Sequence, residues 1–134
     1  MGINAEQWGK QGWHFIHSIA YNYPDNPTQE DKKNYSDFIH SMQKVLPCPF
    51  CAEHFKQNII KMPIRLYNKS EFFNWTVDMH NEVNKLNGKA ILSYEEASDE
   101  WVKNAQTKEQ LENDLRLKSI QAQSLLRKIK KLNR

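Results

Sequence analysis

The residues best equipped for chemistry are Cys48 and Cys51, in the run Pro47-Cys48-Pro49-Phe50-Cys51-Ala52-Glu53-His54. They are the only two cysteines of the chain. A bridge between residues so close staples almost nothing, so the pair reads as chemical rather than structural. At the start of a helix, exposed N–H groups and the helix dipole favour a thiolate. A thiolate is the species that exchanges disulfides.

Three readings of this motif are open. It is half of a zinc site if His54 joins it as C-x2-C-x2-H, with ligands still to come from His14, His17, His40 or His80. It is a thioredoxin-like site if a strand precedes it, but the segment before Cys48 has a helical pattern. Or it is a redox disulfide beside a flavin in a helix bundle, where side chains on facing helices build the site.

Polar and aromatic residues gather at three other places: Trp8 to His17, then Trp75 and His80 to Lys89, then Trp101. Flat rings stack, amides bond the edges of a heterocycle, and lysines face phosphates, so the set suits an aromatic dinucleotide. Taken alone, Trp13 would be core, and His17 serves equally as a satisfied core histidine. Within the cluster Trp13 reads as a ligand. Trp8 and Trp75 read as core, and His54 as a near-site residue.

Helical spacing supplies the frame. Trp8, Gly12, Phe15, Ile16, Ile19, Ala20 and Tyr23 predict a first helix over about residues 5–22, ended by Pro24. Thr28 with Asp31 predicts the cap of a second, with Tyr35, Phe38, Ile39, Met42, Val45 and Leu46 facing inward. A third carries Cys51, Phe55, Ile59 and Ile60 and stops at Met62-Pro63. Ser70 is expected to cap a fourth, which presents Phe73, Val77, His80 and Asn84 with Phe72, Met79 and Val83 beside them. Asn87-Gly88 ends it. Ser93 with Glu96 predicts a capping box for a short fifth helix ending near Trp101.

After about residue 105 the composition changes: no aromatic, Pro or Gly occurs. Leu111, Leu115, Lys118, Ala122, Leu125, Ile129 and Leu132 follow a 4-3-4-3 spacing. That predicts an additional C-terminal amphipathic helix or short coiled coil, with Lys118 interrupting the seam. From Arg116 onward every charged residue is basic. The chain therefore divides into residues 1–104 and 105–134.

Whole-chain properties narrow the class. A length of 134 residues suits one compact domain, and four Gly with five Pro disfavour a sheet with many tight turns. The expectation is all-α. A net charge of +3 is too mild for nucleic-acid binding by the whole chain. No apolar run approaches the ~20 residues that span a bilayer. The opening residues lack the basic and apolar regions of a secretory leader.

Order and spacing together resemble the Erv/ALR flavin-linked sulfhydryl oxidases, from Trp8 to Trp101. The parts are W-G-x-x-x-W-x-x-x-H at residues 8–17, Tyr23-Pro24, Cys48-x-x-Cys51-Ala52-Glu53, His80-Asn81-Glu82-Val83-Asn84, Gly88-Lys89 and Trp101. The resemblance implies four helices bundled around non-covalent FAD, a short fifth helix across them, and a homodimer. It makes Cys51 the sulfur against the isoalloxazine and Cys48 the outer sulfur that partner thiolates attack. His80 and Trp101 would flank the adenine. Asn81, Val83 and Asn84 would contact the nucleotide, and Lys89 the phosphates or ribose. Gly9, Lys10, Trp13 and His17 would line the cofactor from the first helix, and no metal is implied.

Many members carry a second, shuttle cysteine pair, for which this sequence has no counterpart. Electrons would then come directly from a separate dithiol protein, thioredoxin-like or with a small C-x-x-C module, and pass to oxygen as hydrogen peroxide. Where members have a structural disulfide between the fourth helix and the segment before the fifth, this chain offers Val77 and Tyr94, so apolar packing would replace it. The short form is most similar to those of large cytoplasmic DNA viruses, implying host cytoplasm or virion, with the mitochondrial intermembrane space as the alternative. Two non-enzymatic readings compete: a zinc-stabilised helical interaction module, and a coiled-coil adaptor built on the C-terminal helix.

Overall fold

Side-chain caps decide where each helix begins. The computed structural model describes residues 3–133, the side chains of 104–106 excepted, so the first two residues of the opening segment lie outside it. The helices are α1 (Ala5–Tyr21), α2 (Gln29–Val45), α3 (Pro49–Lys61), α4 (Lys69–Leu86) and α5 (Tyr94–Leu132). Among the described residues there is no strand.

Asn4 and Gln7 close a capping box on α1, and Thr28 and Asp31 do the same on α2. Cys48 itself caps α3, with Pro49 at the first position, where a missing N–H costs nothing. The cap of α4 is Asn68, not Ser70: Asn68 Oδ1 accepts the Glu71 N–H at 2.9 Å and Ser70 lies inside the helix. Both residues can cap, but the helix must already be running when Phe72 and Phe73 turn inward. Gly88, at φ +66°, ends α4, and the Lys89 N–H reaches back to the Asn84 carbonyl at 2.8 Å. Ser93 caps α5 by accepting the Glu96 N–H at 3.1 Å.

The chain forms two compact units, Met1–Ala97 and Ser98–Arg134. In the first, α1 and α3 each pack on α4, and α2 packs on α3. Trp75, Tyr23, Phe72, Ile39, Met79 and Val77 are fully buried there. Burial of the polar ends is matched by bonds: Trp75 Nε1–H donates to the Met62 carbonyl at 2.8 Å and the Tyr23 hydroxyl to the Leu66 carbonyl at 2.9 Å. Tyr23, Tyr35 and Phe72 meet edge to face.

Three expectations need correcting. The inward stripe of α2 is narrower than its apolar residues suggest: Ile39 and Met42 are buried, whereas Phe38 and Val45 are exposed, as is Ile60 of α3. The tie expected at Val77 and Tyr94 is polar at Tyr94. Its hydroxyl donates to Asp78 at 2.8 Å, and Arg65 bonds the other oxygen of that carboxylate at 2.7 Å. The short fifth helix and the additional C-terminal helix are one element of 39 residues. No Gly or Pro follows Gly88, so nothing in the backbone interrupts it. Among the described residues no helix is long and apolar enough to cross a membrane.

Candidate active site

The cysteine pair sits at the start of α3. Both cysteines are free thiols, Cys48 buried and Cys51 half-buried. Cys48 Sγ accepts the Cys51 backbone N–H at 3.3 Å. Folding back over the helix end covers the Cys48 sulfur, so the cysteine given the outer role is the less exposed of the two. Burial first, then the hydrogen bond to Cys48, pushes the Cys51 thiol up to about 11. In the reduced pair Cys51 therefore keeps its proton at neutral pH.

Trp8 of α1 reaches this sulfur. Its indole N–H draws the Cys51 thiol back down, without closing a hydrogen bond of ordinary geometry, and is otherwise buried without a partner. The W-x-x-x-G spacing makes a seat for the ring: a Cβ at Gly12 would stand 2.4 Å from two Trp8 ring carbons. At Gly9 a Cβ would meet nothing within 4 Å, so that face of α1 is open. The sequence alone reads Trp8 as core, and Gly12, four residues on, is the signal for the seat of its ring.

A second cluster joins α1 to α4. Trp13 and His80 stack with centroids 4.4 Å apart and planes 5° from parallel. His17 Nε2 lies 2.9 Å from His80 Nδ1, and His17 Nδ1 lies 3.0 Å from Thr76 Oγ1. The network assigns the protons. The Thr76 hydroxyl donates to the Phe73 carbonyl at 2.7 Å, so its oxygen accepts from His17 Nδ1–H. His17 Nε2 then accepts from His80 Nδ1–H, leaving a lone pair on His80 Nε2. Both rings are neutral. Burial, then the charges of His80 and His14, lowers His17 to about 4; burial, then Lys89, lowers His80 to about 4. Thr76 escaped sequence reading because threonine on an apolar helix face carries no signal of its own.

The remaining expected residues divide. Asn81 holds the loop after α4: its Nδ2 donates to the Leu92 carbonyl at 2.8 Å and its Oδ1 accepts the Leu92 N–H at 3.0 Å. Asn84 Nδ2 donates to Asn81 Oδ1 at 3.2 Å. Val83 is half-buried; Lys10 and Lys89 are exposed. Trp101 lies on α5, within the second unit. His54 stacks on Phe50 and lies 3.3 Å from Asn58 Nδ2. Among the described residues no three His, Cys, Asp or Glu stand together to hold a metal ion, so the further ligands zinc would require at the cysteines are not assembled.

The site thus has two ends on one helix. Trp8 marks the sulfur end and His17 the histidine end, about 14 Å apart along the axis at helical rise. The orphaned indole N–H at one end, the neutral rings at the other and the open face at Gly9 between them are groups that a long, flat, aromatic ligand could use.

Residues 10–104 match the model of the Erv1 / Alr family. A probable FAD-linked sulfhydryl oxidase of Acanthamoeba polyphaga mimivirus is 42% identical over 98 residues, covering 71% of this chain and 68% of the viral protein. The FAD-linked sulfhydryl oxidase ERV1 of Arabidopsis thaliana is 32% identical over 101 residues, 75% of this chain but only 53% of the plant protein. Among solved structures, the FAD binding domain of Erv1 from Saccharomyces cerevisiae superposes with a TM-score of 0.71 at 28% identity, covering 74% of this chain and 94% of that one. By sequence and by fold, the chain belongs to the Erv1/Alr family.

Proposed function

We propose that the chain is an FAD-dependent sulfhydryl oxidase, which converts a partner's dithiol to a disulfide and reduces oxygen to hydrogen peroxide. The observation that carries the reading is the convergence on α1. One helix brings Trp8 to the Cys48/Cys51 pair and Trp13 with His17 to His80, in a chain whose relatives are FAD-linked sulfhydryl oxidases. Trp13, His17 and His80 would hold the flat aromatic parts of the cofactor. Gly9 and Lys10 would line it from α1, and Val83, Asn84 and Lys89 from the end of α4, with Asn81 positioning the loop that follows. When bound, FAD supplies two-electron acceptance from a dithiol and delivery of those electrons to oxygen.

The chain's own residues do the thiol work. In the oxidised pair a partner thiolate attacks the Cys48 sulfur, once it has turned out from its place over the start of α3, and Cys51 leaves. The partner's second thiolate then breaks the mixed disulfide, so the partner loses two electrons and two protons and the Cys48/Cys51 pair gains them. Cys51 holds its proton tightly at that stage. The Trp8 N–H and the α3 backbone N–H favour its release against burial. Overall, one dithiol and one oxygen give one disulfide and one hydrogen peroxide.

The absorption spectrum of the purified protein tests this first: flavin bands are expected, and a colourless protein would sink the reading. Cys51→Ser should keep the colour and lose oxygen consumption with a dithiol by on the order of a thousandfold or more. The donor is a thioredoxin-like or small C-x-x-C protein and the acceptor oxygen. A homodimer is supported by the exposed edge-to-face pair Phe15 and Phe38 on α1 and α2. Viral relatives favour host cytoplasm or virion, and the mitochondrial relative of yeast the intermembrane space. Residues 1–104 are the oxidase domain and 105–134 a basic amphipathic tail, so removing the tail should leave oxidation intact.

A further inference from the structure

The later part of α5 carries an apolar seam that nothing else in its own unit covers. Leu111, Leu115, Leu125, Ile129 and Leu132 are between 52% and 85% exposed. Their spacing is that of a coiled-coil seam, with Lys118 and Ala122 completing it. The charges are sorted lengthwise. Glu109, Glu112 and Asp114 outnumber Lys108 in the stretch before Leu115, and from Arg116 to the end every charged residue is basic.

We propose that this seam pairs with the same seam of a second copy, antiparallel, to form a two-stranded coiled coil. A parallel pair would lay the basic halves side by side. An antiparallel pair lays each basic half against the other's acidic half and also opposes the two helix dipoles. The seam itself selects the stagger. With Lys118 facing the partner's Ala122, Leu111 faces the partner's Ile129 and Leu115 the partner's Leu125, and the two-fold axis passes near Ile120. Every layer then pairs one seam position of each kind, as antiparallel coils require. Lys118 stands opposite the smallest side chain, which leaves its stem room to carry its ammonium to water, and at each end of the seam Leu132 faces the partner's exposed Lys108, whose ammonium also reaches water. Flanking the seam, Asp114 falls beside the partner's Lys128, and by symmetry this pair occurs twice. An anionic lipid surface would match the basic half but leaves the acidic half and the matched stagger without a role. The inference is independent of the chemistry proposed for the cysteines.

Sedimentation equilibrium of the full chain at low salt, with reductant, tests it. Leu125→Glu places a carboxylate in two symmetric layers and should weaken association by about a hundredfold or more. Asp114→Lys and Lys128→Asp should each weaken self-association by about tenfold, because each creates two like-charged pairs. Mixed one to one, the two variants should associate as tightly as the parent, since every pair in the mixed dimer is again opposite in charge. The α1–α2 face is blind to all three substitutions, so parent and variants are compared in a Phe15→Glu background, which removes that face and leaves only the tail to hold two copies together. The proposal is overturned if Leu125→Glu assembles like the parent, or if the mixture associates no better than its components. It is equally overturned if the parent is monomeric at micromolar concentration but sediments with phosphatidylserine–phosphatidylcholine vesicles, which would assign the tail to lipid.

Discussion

Helix α4 and the later part of α5 both repeat apolar residues at helical spacing, yet they end in opposite states. Eight of the eighteen residues of α4 are buried, including Thr76, Asn81 and Asn84. Beyond residue 106 every described residue of α5 is exposed. Apolar content does not separate them. The difference is that α4 mixes aromatic rings with polar groups whose partners lie elsewhere in the unit: His17 for Thr76, the Leu92 backbone for Asn81. A buried polar group without its partner is costly, so such residues tie a helix to one set of neighbours. The apolar residues of the tail are all aliphatic, and its specificity resides in charge sorted along its length.

The strongest way to break this contrast is at Trp75. The ring is fully buried and its N–H satisfies the Met62 carbonyl at the end of α3. Trp75→Ala should cost about 3–5 kcal/mol of unfolding free energy through the cavity, with the orphaned carbonyl adding to it. Urea titration followed by near-ultraviolet dichroism reads this directly. A loss below about 1 kcal/mol would mean that α4 is not the centre of the core.

The sequence made some of this legible and not the rest, for physical reasons. Caps are local chemistry, so Thr28 with Asp31, Ser93 with Glu96 and Asn87-Gly88 could be placed before any fold was known. Asn68 and Ser70 compete on equal local terms, and only the direction in which Phe72 must point decides between them. Phe38 and Val45 belong to the right face of α2, but periodicity cannot say how wide a stripe the neighbour covers. The pair Cys48/Cys51 and the rings of Trp13, His17 and His80 were readable as residue types suited to a task. That Trp8 rests on Gly12 and reaches Cys51 is a fact of three-dimensional packing. So is the bonding of Asn81 to Leu92, which makes it a support for the loop. The continuity of α5 was written in the absence of Gly and Pro, and was masked by a change in composition.

Acid sharpens the contrast further. His17 and His80 stand at about 4 in the folded chain against 6.5 for the free side chain. Between those values the unfolded chain binds protons that the folded one refuses, so stability rises with pH across the window. The contribution is whole above about pH 6.5 and drains away as pH falls toward 4. His17, the better buried ring, accounts for on the order of 2–3 kcal/mol of it. No histidine occurs after His80, so the tail has no counterpart to this loss. At pH 4.5 the urea midpoint of the first unit should have dropped markedly from its pH 7 value. In His17→Gln the dependence should be flatter. Equal slopes in parent and variant would show that the buried histidine pair does not couple folding to protons.

The smallest effect belongs to the tail. Leu125 is 59% exposed, so truncating it to alanine removes little area that folding had hidden from water. Alanine also suits a helix interior slightly better than leucine. In dilute monomer, Leu125→Ala should therefore shift unfolding free energy by no more than about 0.5 kcal/mol, against several for Trp75→Ala. Dichroism at 222 nm through a thermal melt, at a concentration well below that of association, makes the measurement. The two substitutions differ chiefly in whether the rest of the chain had closed around the side chain. A large cost at Leu125 in the monomer would mean that this chain already covers the seam, and the division between a self-sufficient unit and an open helix would fail.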